Sequence, residues 1–283
     1  MPELPDVESV ARRLHRAAAG RRVTRVEVPD RSVVRSPAPR QFAGQLRGRR
    51  IEAVRRRGKY LLMNLSGGLL LVGHLRMTGD FTVVDRRAPR RPHTRLVLGV
   101  GGDDIRFVDQ RRFGHVDLIA ARAAAAFPGL RTLGVEPLGP AFSLDRLRAL
   151  IGRRRGSLKA FLLRQDLIAG IGNIYADEIL FRARLHPARG LDTLTADQVR
   201  ALHRAIRGVL RRAIAALSRR GRAVGELAEV RKRGGACPRC GGPLRSETVG
   251  GRTAYFCPRC QRPPRRAPAP RAERGPATVR GTG

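Results

Sequence analysis

The sequence is short of lysine and of acidic residues, and it has no long hydrophobic run. Only three of its 58 basic residues are lysines, and 23 Asp and Glu residues leave a formal net charge of +35 over 283 residues. No stretch approaches the roughly 18 apolar residues of a membrane-spanning helix, which argues against a buried membrane protein. The start Met1–Glu8 is acidic and rich in proline, unlike a secretory signal, so we expect a cytoplasmic, nucleoid-associated protein.

The surplus of arginine favours a polyanionic partner. Each Lys or Arg that neutralises a phosphate releases condensed counterions, and this release drives nucleic-acid binding. An arginine-rich, lysine-poor chain is also what a GC-rich genome encodes, so some arginines can be solvated surface without a role. Where arginine is the default cation, Lys59, Lys159 and Lys232 are the basic positions to inspect first.

The cysteines predict a structural zinc site. They form two Cys-x2-Cys pairs near the C-terminus: Cys237, Cys240, Cys257 and Cys260. Two such turns can complete a tetrahedral Zn²⁺ site, whereas two disulfides, the alternative, are rare in a reducing cytosol. Between the pairs, Pro243–Phe256 is typical of a hairpin with its turn at Gly250-Gly251, which places Arg252 just past the turn.

The order of patterns predicts an α+β chain, divided at 1–132 (antiparallel β-sandwich, or alternatively a barrel, with an N-terminal helix), 133–141 (linker), 142–225 (helical), 226–262 (zinc hairpin) and 263–283 (disordered basic tail). The predicted strands are Val23–Val28, Ile51–Val54, Tyr60–Leu65, Leu69–Leu75, Asp80–Val84, Arg95–Val100, Ile105–Val108 and His115–Ile119. The predicted helices are Pro2–Ala19, Ser143–Ile151, Ser157–Leu163, Ile174–Ala183 and a long one that Thr195 and Gln198 cap as a capping box.

The N-terminal Pro2-Glu3 pair has two interpretations. If Met1 is removed, Pro2 becomes a free secondary amine, and an α-amine titrates near about 7.7–8.0, so part of it is neutral at physiological pH. A neutral amine can attack a sugar C1′ carbon, and Glu3 can move the protons that this chemistry requires. Proline followed by an acidic residue is also an ordinary helix start.

Several further segments resemble one family. Together with the four cysteines, they are Pro2–Glu8, Gly58–Leu62, His74–Gly79, Asp109–Gly114 and Gly170–Glu178. In this order, from Pro2 to about Gln261, they resemble the formamidopyrimidine-DNA glycosylase/endonuclease VIII family, and the start Pro2–Pro5 is closer to the formamidopyrimidine branch. The resemblance implies a β-sandwich, a helix–two-turns–helix domain and a zinc finger, with damaged double-stranded DNA in the cleft and the target nucleotide flipped out.

The resemblance also implies roles for individual residues. Pro2 would be the Schiff-base nucleophile and Glu3 the proton donor. Lys59 would contact the phosphate beside the lesion and assist β-elimination, for which a titratable lysine suits better than arginine. Arg252 would grip phosphate and take part in δ-elimination, while one Zn²⁺ holds the hairpin that carries it.

A second implied set contacts DNA. Its members are His74, Met77, His93, Arg111, Arg112, Phe113, Arg155, Lys159 and Asn173. Met77, Arg111 and Phe113 would fill the space that the flipped nucleotide leaves, although Met77 and Phe113 are core residues by default. A solvated helix face remains the alternative for Arg155, and a helix N-cap for Asn173.

The sequence departs from the family pattern at three places, of which the third bears on substrate specificity. Asp6 stands where many members have Glu, and Gln110 where the common form has Pro. The interval Ser218–Ala236 is short and arginine-rich, without the loop expected over a flipped purine. We therefore expect a monomeric bifunctional DNA glycosylase/AP lyase of base excision repair that cleaves by β,δ-elimination. The alternatives are the same chemistry on oxidised pyrimidines or abasic sites, and a non-catalytic zinc-ribbon nucleic-acid-binding protein.

Overall fold

A computed structural model of the chain describes residues 2–220 and 225–262. The tail 263–283, which the composition predicts to be disordered, lies outside the described residues, as does part of the Ser218–Ala236 interval. The α-helices are α1 (Leu4–Ala18), α2 (Pro39–Leu46), α3 (Pro128–Arg131), α4 (Leu144–Ile151), α5 (Leu158–Leu163), α6 (Asn173–Ala183) and α7 (Ala196–Arg220). The strands are β1 (Arg25–Glu27), β2 (Val34–Ser36), β3 (Ile51–Arg57), β4 (Tyr60–Leu65), β5 (Leu69–His74), β6 (Asp80–Asp85), β7 (Thr94–Val100), β8 (Asp103–Val108), β9 (His115–Ala120), β10 (Arg245–Val249) and β11 (Arg252–Phe256).

Two sheets with α1 form the N-terminal part. One sheet has the order β1-β7-β8-β6 and the other β2-β9-β5-β4-β3. Their apolar faces share one core with α1, in which Phe81 of β6 lies so close to β5 that an added Cβ on Gly73 would be 3.3 Å from the Phe81 ring. The apolar positions of α1 recur at helical spacing, so Val7, Val10 and Leu14 are buried.

The first apolar residue of α1 belongs to a different core. Leu4 packs with the helical part, where α4, α5, α6 and one face of α7 bury a second cluster. Its backbone N–H donates to the carbonyl of Gly170 at 3.0 Å. The start of α1 is therefore held between the β-sandwich and the helices, and this junction positions the residues before it.

The finger is a third, small unit. Strands β10 and β11 pair antiparallel, with Val249 opposite Arg252 across the predicted Gly250-Gly251 turn. Phe181 of α6 packs against Leu227, Leu244 and the buried cysteines of the finger.

Most elements follow the sequence pattern. Thr195 and Gln198 form the predicted reciprocal capping box at the start of α7, at 3.0 and 3.3 Å. The eight predicted strands correspond to β1 and β3–β9, whereas α2, α3 and β2 have no counterpart in the sequence-based expectation. Strand β2 also pairs parallel with β9, so the sandwich is not wholly antiparallel. These missed elements are only three to eight residues long, too short for a periodic signal.

Candidate active site

Glu3 is the centre of the site. Its carboxylate is 2% exposed and accepts hydrogen bonds from three backbone N–H groups at the start of α6, those of Gly172 (2.9 Å), Ile174 (2.8 Å) and Tyr175 (3.1 Å). Burial raises the pKa of Glu3, although these bonds and the nearby charge of Lys59 oppose the rise. A carboxyl group that holds its proton more tightly than usual can act as a proton donor near neutral pH.

Glycines make room for this carboxylate. An added Cβ on Gly172 would lie 2.3 Å from Cδ of Glu3, and one on Gly170 would lie 2.7 Å from Cδ1 of Leu4. Gly170 also has a φ of +91°, which side chains other than glycine rarely adopt. The Gly-Ile-Gly run before α6 is thus required by the entry of the N-terminal segment.

Pro2 lines a cavity of about 360 Å³. The lining residues include Pro2, Asp6, Ile174 and Tyr175. Asp6 accepts a hydrogen bond from the backbone N–H of Glu3 at 2.8 Å, and burial raises the pKa of Asp6. The shorter Asp6 side chain, one of the departures noted above, therefore still caps the start of α1.

Lys59 lies in the turn between β3 and β4, and a network of ion pairs holds this turn. Glu136, from the predicted linker, accepts from the backbone N–H of Gly58 at 2.5 Å and pairs with Arg56 (2.9 Å) and Arg57 (3.1 Å). Burial lowers the pKa of Lys59, the charge of Glu3 opposes this, and Arg252 adds to it. Glu3 and Arg252 are thus each close enough to Lys59 for their charges to affect its pKa.

The structure places Lys159 away from the surface. Its side chain has no exposed area, and its ammonium donates to Asp177 Oδ1 (2.6 Å) and to the carbonyl of Thr253 (2.7 Å). Arg231 binds the same carboxylate through Oδ2 at 2.9 Å and lies 4.7 Å above the ring of Tyr255. A direct DNA contact by Lys159, as predicted, would require this ammonium to leave both partners; in the structure it instead holds β11 against α5 and α6.

The hairpin tip carries Arg252 toward the site. Arg252 is exposed, and the preceding Gly250 packs so closely on α5 that an added Cβ would lie 2.8 Å from Cβ of Ala160. The Thr253 carbonyl, held by Lys159, is on the other side of Arg252. Two contacts with α5 therefore bracket this arginine.

Two loops present apolar side chains to solvent. Met77 and Phe113 are 39% and 50% exposed, which excludes the default core assignment, and the Arg111 guanidinium lies 4.7 Å above the Phe113 ring. Buried Asp109 joins the loops, since it binds Thr78 and accepts from the backbone N–H of Gly114 at 2.7 Å. This role of Asp109 was not predicted from the sequence. The signal that could have indicated it is the position of Asp109 at the start of the Asp109–Gly114 motif.

Ile174 is a further exposed apolar residue that sequence reasoning missed. It is 36% exposed and lines the cavity at Pro2. Beside it, Asn173 Oδ1 is buried and has no hydrogen-bond partner within the described part of the chain, so a bound ligand is a natural partner. The only signal for Ile174 in the sequence is its place after Asn173.

The remaining predicted DNA contacts lie on the surface or near it. Burial and neighbouring charges lower the pKa of His74 to about 3, so it is neutral, and its Nδ1 accepts from the backbone N–H of Arg76 at 3.0 Å. His93 and Arg112 are exposed residues with positive φ, and Arg155 is exposed before α5. The neutral His74 keeps its Nε2–H as a donor for a phosphate.

The four cysteine sulfurs fit one zinc ion. They all lie within 4.8 Å of one another, with Cys237–Cys260 at 3.9 Å and Cys240–Cys257 at 3.5 Å. Tetrahedral Zn–S bonds of about 2.3 Å place sulfurs about 3.8 Å apart. All four are free thiols, so the alternative of two disulfides does not apply.

Family models match three parts of the chain. They are the formamidopyrimidine-DNA glycosylase N-terminal domain (residues 1–116), the formamidopyrimidine-DNA glycosylase H2TH domain (133–221) and the zinc finger found in FPG and IleRS (234–263). The H2TH match covers α4–α7, and the finger match covers the four cysteines. No described helix is long and apolar enough to cross a membrane.

Relatives and solved structures agree with these matches. The formamidopyrimidine-DNA glycosylases of Symbiobacterium thermophilum and Nocardioides sp. are each 43% identical; the alignments cover 92% and 94% of this chain and 89% and 96% of theirs. The Lactococcus lactis Fpg bound to abasic-site DNA superposes with a TM-score of 0.85 at 31% identity, over 92% of this chain and 100% of that one. The chain belongs to the formamidopyrimidine-DNA glycosylase family, the zinc-finger DNA glycosylases of base excision repair.

Proposed function

We propose that this chain excises oxidised bases and cleaves the DNA strand by β,δ-elimination, with Pro2 as nucleophile and Glu3 as proton donor. The observation that carries this proposal is the buried Glu3 carboxyl, held by three N–H groups beside Pro2 and its cavity. Removal of Met1 makes Pro2 the terminal amine. The lyase chemistry itself is implied by the family.

The first step forms a covalent bond between the enzyme and the sugar. The neutral Pro2 nitrogen attacks C1′, the glycosidic bond breaks, and the base leaves with the bonding electron pair and takes up a proton. Opening of the sugar ring requires a proton on O4′, which Glu3 supplies. Because its pKa is raised, Glu3 stays protonated up to a higher pH than an exposed glutamate. The Pro2 nitrogen loses its proton, and its lone pair completes the iminium at C1′.

Strand cleavage then uses the two basic residues near Glu3. β-Elimination removes a proton from C2′ and expels the 3′ phosphate, and δ-elimination removes a proton from C4′ and expels the 5′ phosphate. Lys59 is suited to act at the 3′ phosphate that β-elimination expels. A lysine, unlike an arginine, can exchange a proton, and burial lowers the pKa of Lys59. Arg252 is suited to hold phosphate as a permanent cation at the finger tip.

The exposed apolar loops support binding of flipped-out DNA. Met77 and Phe113 can replace stacking lost when a nucleotide leaves the helix, and Arg111 is held near Phe113 to face the orphan base. Asn173 and His74 are suited to contact phosphates. One Zn²⁺, bound by the four cysteines, would hold the hairpin that carries Arg252. We further propose that the enzyme acts as a monomer at the nucleoid.

Borohydride trapping tests this proposal. Reduction of the iminium on an abasic-site duplex converts it to a stable adduct, whose position peptide mass spectrometry identifies. The chain has only three lysines, so Lys59→Arg/Lys232→Arg leaves Pro2 and the buried Lys159 as candidate amines. We expect the adduct on Pro2 in the wild type and in this variant; an adduct on a lysine, or none, contradicts the proposal.

The lesion preference needs a separate test. The short Ser218–Ala236 interval favours oxidised pyrimidines or abasic sites as a second candidate substrate class. A mutant of Lactococcus lactis Fpg has been solved with DNA containing Fapy-dG, and the wild-type protein with DNA containing an oxidised pyrimidine. Single-turnover rates on duplexes with 8-oxoguanine, Fapy-dG and thymine glycol decide; a strong preference for 8-oxoguanine rejects the second candidate.

A further inference from the structure

An arginine-lined cavity lies beside the zinc end of the finger. Its volume is about 370 Å³. Apart from Cys260, the lining consists of arginines: Arg184, Arg189, Arg239, Arg259 and Arg262. We call it the arginine cavity.

The arginine cavity is remote from the catalytic residues. Helix α6 begins at Asn173 beside Glu3 and ends just before Arg184, and its 11 residues span about 16 Å. Strand β11 begins at Arg252 and runs toward the cysteines, and its five residues span about 17 Å. Both elements lead from the catalytic site at one end to the arginine cavity at the other.

Several of the arginines are held in place. The Arg239 guanidinium lies 4.4 Å above the Phe181 ring and donates to the Phe181 carbonyl at 3.2 Å. Arg259 lies against the backbone of Gly242, where an added Cβ would be 3.3 Å from Arg259 Cδ.

Arg189 Nε is buried and has no hydrogen-bond partner in residues 2–220 or 225–262. A buried donor of this kind is satisfied by an oxyanion.

Carboxylates do not neutralise the cluster. Glu226 lies 3.7 Å from Arg239 and also pairs with Arg182 at 3.1 Å. Within the described ranges, Arg184, Arg189 and Arg259 have no ion pair with a carboxylate. A zinc ion held by four thiolates carries a formal charge of about −2, which together with Glu226 still leaves positive charge in excess.

We propose that the arginine cavity binds the phosphates of a second DNA segment while the catalytic cleft holds the first. Guanidinium groups bind phosphate oxygens through two parallel hydrogen bonds, and five of them around one cavity match a polyanion better than a single small anion. A duplex held at Lys59 and Arg252 leaves the far end of α6 and of the finger to other DNA. The enzyme could then pass between DNA segments without full release, and this inference goes beyond the proposed catalytic function.

The test separates the two sites by blocking one of them covalently. The borohydride-trapped complex occupies the catalytic cleft, and a fluorescent undamaged duplex is titrated against it at several salt concentrations. The test variant is Arg184→Gln/Arg189→Gln/Arg259→Gln. The control, Arg16→Gln/Arg40→Gln/Arg47→Gln, removes the same charge from exposed arginines of the β-sandwich part.

We expect the trapped wild type and the control to bind the second duplex. Each phosphate contact contributes roughly −0.9 to the slope of log K against log salt, so loss of three contacts weakens binding about 500-fold at 0.1 M salt. Equal binding by the test variant and the control overturns the proposal. If the test variant loses zinc or thermal stability with unchanged duplex binding, the arginines serve the finger and the proposal is wrong.

Two further measurements are needed. One identifies whether DNA or a free polyphosphate binds the arginine cavity, and the other distinguishes failure of this proposal from failure of the proposed catalysis by Pro2. Tripolyphosphate that binds the wild type but not the test variant, without any binding of duplex, overturns the DNA assignment. If no adduct forms in the wild type, catalysis by Pro2 is contradicted; a titration of untrapped protein with undamaged duplex then tests the cavity. A stoichiometry of two duplexes per chain, reduced to one in the test variant, supports it, and one duplex for both proteins overturns it.

Discussion

Helix α6 contacts two other regions of the molecule, and in each contact a buried carboxylate accepts hydrogen bonds from backbone N–H groups. At its start, N–H groups bind the carboxylate of Glu3 from the N-terminal segment. Farther along, its own Glu178 accepts from the backbone N–H groups of Glu226, Leu227 and Ala228, which lead into the finger. Both carboxylates are 2% exposed, and burial raises the pKa of both.

The difference between the two junctions lies in what surrounds each carboxylate. Glu3 stands beside Pro2 and a cavity, with Lys59 close enough to alter its pKa. Glu178 is packed against Gly225, where an added Cβ would lie 2.1 Å from its Oε1. Burial and a raised pKa therefore do not identify a catalytic acid by themselves; access to an amine and a cavity does.

The first prediction separates the two glutamates by activity. Glu3→Gln keeps the size of the side chain but removes the acidic proton and replaces one of the two oxygens that accept backbone N–H groups, so we expect base excision to fall by about 10²–10⁴-fold. Glu178→Gln makes the same substitution at the finger junction and should leave excision within about threefold of the wild type, because Glu178 is packed against Gly225 and not beside Pro2 and its cavity. Single-turnover excision from a Fapy-dG duplex measures both, and equal losses would mean that the two junctions share one role.

The second prediction uses the glycines that face each carboxylate. In Gly172→Ala the backbone can keep its φ of −122°, but the new methyl group displaces Glu3. We expect about a hundredfold loss of excision with zinc content unchanged, because a shift of about 1 Å at a catalytic group costs this much. Gly225→Ala should instead destabilise the fold by about 1–3 kcal/mol through overpacking. Loss of excision in both variants at full stability would contradict the comparison.

The third prediction concerns the buried pair next to Glu178. In Asp177→Leu, Lys159 is left buried without its partner carboxylate, which should destabilise the protein by about 3–5 kcal/mol in urea unfolding. The double variant Lys159→Met/Asp177→Leu should recover part of this loss, since no buried ammonium remains unpaired. Additive losses in the double variant would show that the pair does not couple α5 to α6.

The sequence predicted the fold better than it predicted long-range contacts such as the pair of Lys159 and Asp177. Long amphipathic α1, the capping box of α7 and the zinc ligands have local signals, since apolar spacing, a Thr-x-x-Gln pattern and paired cysteines are readable in one stretch of chain. Lys159 was predicted to contact DNA because its match to a family position can be recognised in the sequence, whereas its burial cannot. Its partners Asp177 and Thr253 are 18 and 94 residues away, so only the folded chain brings them together.

The same limit applies to the candidate site. Pro2, Glu3, Lys59 and Arg252 were predicted as site residues through motifs, but the backbone groups that bind Glu3 lie 169 to 172 residues away. Ile174 and Asp109 were missed because an exposed apolar residue and a buried aspartate look ordinary in sequence. Such roles depend on long-range contacts, which neither periodicity nor composition reports.

The last prediction concerns the pH dependence of the finger junction. Burial raises the pKa of Glu178 to about 7 from its ordinary 4.5, so between these values the folded protein binds a proton that the unfolded chain has lost. Stability contributed by this group is therefore greatest below pH 4.5, declines as the pH rises to about 7, and is constant above. The difference in unfolding free energy between wild type and Glu178→Gln should change in that direction across pH 4.5–7. Gln cannot titrate, so a pH-independent difference would mean that Glu178 keeps an ordinary pKa, and the two carboxylates would then differ in protonation as well as in their surroundings.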